Sequence, residues 1–319
     1  MESYFKKLSF EKVKTYPVKE RTNKVSVIDF SDPENYSGSG DLSALFPAIL
    51  KGKEIQEIAH AVVEAKGKGK PVILALGAHV IKCGLSLLII DLMKRGVVTS
   101  VAMNGAGAIH DYEIAFLGET SEDVAVEIKE GRFGMVEETG SFMNEAFLTH
   151  VNENVGMGEA LGRDIIEKDY PHSRYSIMAA GYNLKIPVTI HSAIGTEIIH
   201  MHPKADGKVL GQGTFNDFQL FTGQLCDIGE GGVFFNIGSA VILPEVFLKS
   251  LSIVRNMGHE ASRFTTVNFD MISQYRPLEN VVNRPIQGEG KGYNITGHHE
   301  ILVPLLYNQI LNRIKEEKV

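Results

Sequence analysis

Cysteine is nearly absent from this chain of 319 residues: Cys83 and Cys226 are the only two. Two thiols cannot build a disulfide framework. Each lies among apolar residues, which reads as a reduced thiol in the core. An excess of positive charge is also lacking, since Lys plus Arg is 32 against 39 for Asp plus Glu, a net charge of -7. Phosphate contacts need a clustered positive surface, so general nucleic-acid binding is not expected. The acidity is compatible with a cationic substrate. Long apolar runs are missing too. The N-terminus holds none of signal-peptide length. The most apolar stretch, residues 83–93, is too short to span a bilayer and carries Asp91. A cytoplasmic protein is the expectation. No G-x-S-x-G elbow and no G-x-x-x-x-G-K-[ST] loop occurs, which argues against an α/β serine hydrolase and a P-loop ATPase.

What is present is an ordinary globular balance, 44% hydrophobic and 22% charged. Residues 1–40 read as an N-terminal extension and linker. Their basic part either docks on the body or a neighbouring subunit, or frays. The linker, residues 31–40, is dense in turn formers, and Asp41 is placed to cap an apolar segment at 42–50. Residues 41–319 read as a single α/β domain. Helical spacing covers 55–65, and a doubly buried strand covers 70–76. A helix is expected over 81–95, a strand over 97–103 and a helix from near Ala108. Strands at 186–190, 232–236 and 263–268 alternate with helices at 215–225, 243–254 and 300–315. That alternation predicts a Rossmann-like parallel sheet flanked by helices.

Ligands bind such sheets at the carboxyl ends of strands. Three loops qualify: Gly77 to His79, Asn104 with Gly105 and Gly107, and Gly238 with Ser239. None completes a G-x-G-x-x-G, so tight turns explain the glycines equally well. Asp270, after a strand, is placed to accept ribose hydroxyls. The glycine cluster at 288–292 reads as a surface loop, and His298-His299-Glu300 as a helix start. His191, Glu197, His200 and His202 form a second kind of cluster. His200 and His202 would share one face of a strand, which suits a divalent metal, although Pro203 and Lys204 look like a loop.

Several segments in order resemble the deoxyhypusine synthase family, from about Lys70 to the C-terminus. Residues 76–86, Leu-Gly-Ala-His-Val-Ile-Lys-Cys-Gly-Leu-Ser, are similar to its strand end and Ser-Gly near the cofactor. Asn-Gly-Ala-Gly-Ala-Ile-His-Asp at 104–111 resembles its Thr-(Ala/Gly)-Gly loop. Ile-Pro-Val at 186–188, then Gly-Thr-Glu-Ile at 195–198, resemble its strand and the segment that reaches the amine. Asn-Ile-Gly-Ser-Ala at 236–240, Arg-Pro-Leu-Glu at 276–279 and Leu-Val-Pro-Leu-Leu at 302–306 follow in order. The resemblance implies a Rossmann-like sheet, NAD and a homotetramer with sites between subunits. It implies oxidation of spermidine and transfer of its aminobutyl group through an imine on a lysine to a protein acceptor.

It places Ser86 and Asp111 at the cofactor, with Gly77, Asn104, Gly105, Gly107, Gly238 and Ser239, beside the Asp270 read from its strand end. It places Glu197 and Glu279 on the amine's ammonium groups; His191 completes the expected catalytic set. The departures are at the chemistry. The family's nucleophilic lysine falls at Pro285, with Asn283 two before it. Its catalytic histidine falls at Pro244, and its strand-end Asp near Ser192. Lys291 is six residues beyond Pro285. The expectation is therefore an NAD-dependent enzyme acting on a polyamine or related amine without that lysine, and the protein acceptor is in doubt. The alternatives are a metal-dependent hydrolase at the histidine cluster and a non-catalytic nucleotide-binding homologue.

Overall fold

The computed structural model describes residues 8–27, 30 and 49–316. The linker at 31–40 and the segment at 42–48 lie outside them. The arm contributes β1 (Asn23–Ser26), and α1 (Leu50–Gly67) opens the body. Then come β2 (Val72–Leu76), α2 (Ala78–Lys82), α3 (Ser86–Lys94), β3 (Ser100–Asn104), α4 (Gly105–Leu117) and β4 (Glu119–Glu122). A short α5 (Val124–Glu127) precedes a helical layer of α6 (Glu137–His150), α7 (Met157–Glu167) and α8 (Ile177–Leu184). The chain then alternates through β5 (Val188–His191), α9 (Gly207–Gln224), β6 (Val233–Ile237), α10 (Ile242–Asn256) and β7 (Thr265–Asp270). A turn α11 (Tyr275–Pro277), β8 (Lys291–Thr296) and α12 (His299–Glu316) complete it.

Six strands form one parallel sheet in the order β5-β3-β2-β6-β7-β8. Numbered by sequence within that sheet, the order is 3-2-1-4-5-6, that of dinucleotide-binding sheets, with its switch point between β2 and β6. Burial on both faces explains the continuous apolar runs. In β2, Ile73 and Ala75 pack with Phe221, Phe247 and Leu251 of α9 and α10. Val72, Leu74 and Leu76 pack on the opposite face with residues of α1, α3 and α12. Phe234 stacks on Phe247 at 3.7 Å. Near the carboxyl ends, three paired asparagines cross the sheet. Asn236 Nδ2 donates to Asn268 Oδ1 at 2.8 Å, and Asn268 Nδ2 donates to Asn294 Oδ1 at 2.7 Å.

The structure moves several expected boundaries. The helix expected over 81–95 breaks at Gly84, whose φ of +72° ends α2 before α3 starts. Helix α4 begins at Gly105 because the Asn104 side chain accepts the Gly107 N–H at 2.9 Å. Helix α9 begins at Gly207, where Asp206 accepts from the Lys208 and Val209 N–H groups. The glycine cluster is a turn only to residue 290, and Lys291 opens β8. The described part of the arm docks on the body: β1 pairs antiparallel with β4, and Tyr16 bridges to Val136. Among the described residues no helix is long and apolar enough to cross a membrane.

Candidate functional site

At the switch point the backbone is crowded. The Gly77 N–H donates to the Ile237 carbonyl at 2.8 Å, and a Cβ at 77 would lie 2.2 Å from the Gly238 carbonyl oxygen. Gly238 has φ +73° and would meet the His299 ring with any side chain. These two glycines let the ends of β2 and β6 touch. Around them His79 and His299 share Asp270 and Glu300 as charged neighbours. Burial lowers the His299 pKa, against the pull of Asp270. Its Nδ1 has no partner among the described residues.

Lys82 and His110, both neighbours of His79, lead into a cavity of about 200 Å³. Arg21, Lys82, Glu113, Glu122 and Glu197 give it its charge, with the His110 ring beside them; Ala106, Ile109, Phe133 and Ile198 give it apolar wall. Glu197 reaches it from the loop after β5. The α9 residue Thr214 holds that strand end, accepting from Ser192 N and donating to the Ile190 carbonyl. A Cβ at Gly105 would lie 2.5 Å from the Glu197 carboxyl, so glycine at 105 makes the seat for Glu197. Ser192 Oγ donates to Glu197 Oε2 at 3.1 Å and also contacts His200 Nε2 at 3.1 Å. The Gly195 N–H donates to His200 Nδ1 at 3.1 Å, a direction that φ +96° at residue 195 allows. That donor leaves the imidazole proton on Nε2. Burial lowers the His200 pKa, opposed by Glu197 at 3.1 Å. The Glu197 side chain is only 3% exposed, and a neutral imidazole gives it no countercharge. Its carboxylate also accepts the His200 backbone N–H, and Oε1 meets the Ala193 N–H at 3.5 Å.

The opposite wall is a closed ion pair. Arg21 Nη1 donates to Glu113 Oε1 at 2.6 Å, each side chain 1% exposed. Thr139 donates to Oε1 and Thr120 to Oε2 of the same carboxylate. Burial pushes the Glu113 pKa up, but the His110 ring 3.9 Å away and the Arg21 guanidinium outweigh it and bring it down to about 2. Glu122 accepts from Tyr16 Oη at 3.0 Å and from the Gly134 N–H at 2.9 Å.

The structure thus brings Glu197 and Gly105 together, and gathers Gly77, Gly238 and Asp270 at the switch point. Asn104 and Ser239 cap helices, the Ser239 hydroxyl accepting the Leu243 N–H at 3.2 Å. Gly107 packs 3.2 Å, measured from an ideal Cβ, from Asn104 Oδ1. Asp111 is fully buried at the start of α8, accepting from Ser176 Oγ and the Ile177 and Met178 N–H groups. Burial raises its pKa to about 6. Ser86 is fully buried at the start of α3, with no partner for its hydroxyl among the described residues. Glu279 is taken by Asn283 at 3.0 Å and Arg284 at 3.7 Å on its own turn. His191 is buried against Phe221 and Thr189, and burial lowers its pKa to about 3.

The metal alternative loses its geometry. Residues 198–201 are a 3-10 turn and not a strand, and His202 packs on Gly140, away from the Glu197–His200 pair. Among the described residues no group of three or more metal-ligating side chains comes together. Pro285 accepts from Arg255, at the end of α10, and Lys291 starts β8. Both lie toward the amino ends of the strands, so neither supplies a lysine to this edge. The thiols are half-buried and free; Cys83 contacts Glu300, and burial raises its pKa to about 11. Sequence reasoning missed Arg21, Lys82 and Ser192. Lys82 ends α2, three residues after His79 of a loop already singled out, but Arg21 gives no local signal.

No family model matches the chain, and no curated protein matches it. Solved structures do match. AgrE, in a ternary complex with ornithine and NAD+, is 13% identical with a TM-score of 0.52, over 83% of this chain and 33% of its own. A Methanococcus maripaludis S2 protein assigned to the LOR/SDH type is 15% identical at 0.50, over 89% and 74%. A chain from Entamoeba histolytica assigned as a deoxyhypusine synthase is 11% identical over 89% and 96%, at 0.49, too low to carry an argument. The chain spans about a third of the length of AgrE. At these identities the likeness is one of fold, and no sequence-family match supports the resemblance to deoxyhypusine synthases.

Proposed function

We propose that the chain is an NAD-dependent enzyme that oxidises a small amine bound at Glu197. One observation carries this: a buried carboxylate without a countercharge lines a cavity beside the switch point of a sheet in dinucleotide-binding order. AgrE, with ornithine and NAD+ in its complex, adds support from a neighbour of like fold.

The residues fit a dinucleotide in part. Gly77 and Gly238 open the switch point, Lys82 brings positive charge and His79 a ring nitrogen for a pyrophosphate, and Asp270 brings a carboxylate for ribose hydroxyls. The glycine fingerprint itself is missing. Counted from Gly77, His79 and Lys82 hold its second and third glycine positions. NAD, when bound, supplies the hydride acceptor. Glu197 holds the ammonium and takes the proton that the nitrogen loses as the amine becomes an imine. Ser192 and His200 fix the orientation of that carboxylate. Neither Pro285 nor Lys291 brings the family's nucleophilic lysine to this edge, so water takes the imine, and alkylamine transfer is not part of the proposal.

The test is calorimetric titration with NAD+, alone and with a small amine, on wild type and Glu197→Gln. The expected result is NAD+ binding that tightens with amine. Amine affinity should fall at least about tenfold in the variant, in line with losing a charged hydrogen bond. No NAD+ binding under any condition, or a Glu197→Gln variant with full amine affinity, refutes the proposal.

A further inference from the structure

The cavity carries more than a site for an amine. Its three carboxylates are not equivalent. Glu113 has both oxygens engaged by Arg21, Thr139 and Thr120, and Glu122 has both engaged by Tyr16 and Gly134. Glu197 accepts from Ser192 Oγ and the His200 backbone N–H, has no cation paired to it among the described residues, and its Oε1 meets the Ala193 N–H only at 3.5 Å. The cations are unequal as well. Arg21 donates through Nε to Asn23 at 2.7 Å and through Nη1 to Glu113, while its Nη2 is buried with no partner among the described residues. A buried guanidinium N–H left unpaired costs about 1–3 kcal/mol or more. Lys82 is half-buried on the same cavity and makes no ion pair among the described residues.

A fully cationic polyamine would meet Lys82 and Arg21 as like charges. A ligand carrying one charge of each sign would satisfy both walls. The volume limits its size: a cavity of ~150 Å³ takes up benzene, so about 200 Å³ holds roughly eight heavy atoms.

We infer that the cavity takes a small amino acid, its carboxylate on Lys82 and Arg21 Nη2 and its ammonium on Glu197. This rests on the proposed amine site and adds the carboxylate. Arginine and lysine on one oxyanion are charge-assisted donors, the stronger class of hydrogen bond.

Matched pairs that differ only in the carboxylate test it: alanine against ethylamine, and ornithine against putrescine. Each is titrated by calorimetry into the full chain with saturating NAD+. The expected result is at least tenfold tighter binding of one or both amino acids than of the matched amine. Lys82→Met should reduce that preference to threefold or less, and Lys82→Arg should retain it. Thermal midpoints of both variants, with NAD+ present, establish that they are folded. Lys82 is half-buried and makes no ion pair among the described residues, so both variants should fold; if Lys82→Met does not, retention in Lys82→Arg against loss in Lys82→Gln decides the assignment. Amines that bind as tightly as their amino acids overturn the carboxylate subsite and leave the amine site standing. A preference that survives Lys82→Met overturns the assignment to Lys82. Binding of NAD+ with neither ligand of any pair overturns both readings of the cavity.

Discussion

Asp217, on α9, has no direct part in the cavity, yet it holds the strand that does. It is fully buried. Its Oδ2 accepts the Ile190 N–H at 2.8 Å and the Gly158 N–H at 3.0 Å, and its Oδ1 has no partner among the described residues. Burial raises its pKa to about 7 against the backbone N–H donors that lower it. The folded state therefore binds a proton that the unfolded state releases near its ordinary value. That contribution to stability is full at low pH and is lost as pH rises toward 7. Asp111, raised to about 6, acts in the same direction. His191, lowered to about 3, acts oppositely, since its buried neutral form is favoured as pH rises. Asp217→Asn isolates one term, because the amide keeps the accepting oxygen and cannot titrate. Between pH 5 and pH 8 the wild type should lose about 2–3 kcal/mol more than this variant, at ~1.4 kcal/mol per pKa unit. Urea midpoints at the two pH values measure it; equal slopes would refute the assignment. Neither partner of Asp217 could be read in the sequence, because both are backbone groups of segments 27 and 59 residues away. Glu197 was legible, but only as one of several acids. Its distinction, burial beside a neutral histidine, exists only in three dimensions.

Strands β2, β3 and β6 were legible because burial on both faces writes an unbroken apolar run. Strand β8 was not. Its sequence, Lys-Gly-Tyr-Asn-Ile-Thr, belongs to a sheet edge with exposed ends and follows three glycine-rich residues. In the layer α6–α8, the buried polar residues Thr139, Ser141 and Asn144 interrupt the apolar stripe of α6. The asparagine ladder shows what binds β8 in register. Asn268 is 1% exposed, accepts from Asn236 and donates to Asn294. Asn268→Ala leaves the Asn294 carbonyl without that donor and opens a small void. The expected loss is about 2–4 kcal/mol by urea unfolding, a lost buried hydrogen bond plus a cavity. A loss under about 0.5 kcal/mol, the size of an ordinary surface change, would mean that the ladder contributes nothing to register.

The strand order is a property of the whole chain, and alternation of strands and helices could predict the parallel sheet without it. Residues 105–187 carry the chain from β3 to β5 through five helices and an edge ribbon, and nothing local fixes where it returns. The arm is the same case. Its basic residues left docking and fraying equally open, and Arg21 lies 92 residues from Glu113. The structure makes that arm a wall of the cavity. A buried pair stripped of one partner leaves an uncompensated charge, which costs about 3–5 kcal/mol. Arg21→Met should therefore destabilise the molecule by that amount. Glu113→Gln should cost about as much, because the guanidinium then loses its countercharge. The double variant should cost less than the sum by about 0.5–3 kcal/mol, the coupling expected of groups in contact. The pair also carries a pH signature. With its folded pKa at about 2, Glu113 contributes fully above its ordinary carboxylate value and loses that contribution as pH falls toward 2. Acid unfolding of wild type should thus begin at lower pH than that of Arg21→Met, which lacks the cation that holds the carboxylate ionised. Strict additivity in the cycle, with an unchanged acid midpoint, would show that the arm rests on the body without closing the cavity.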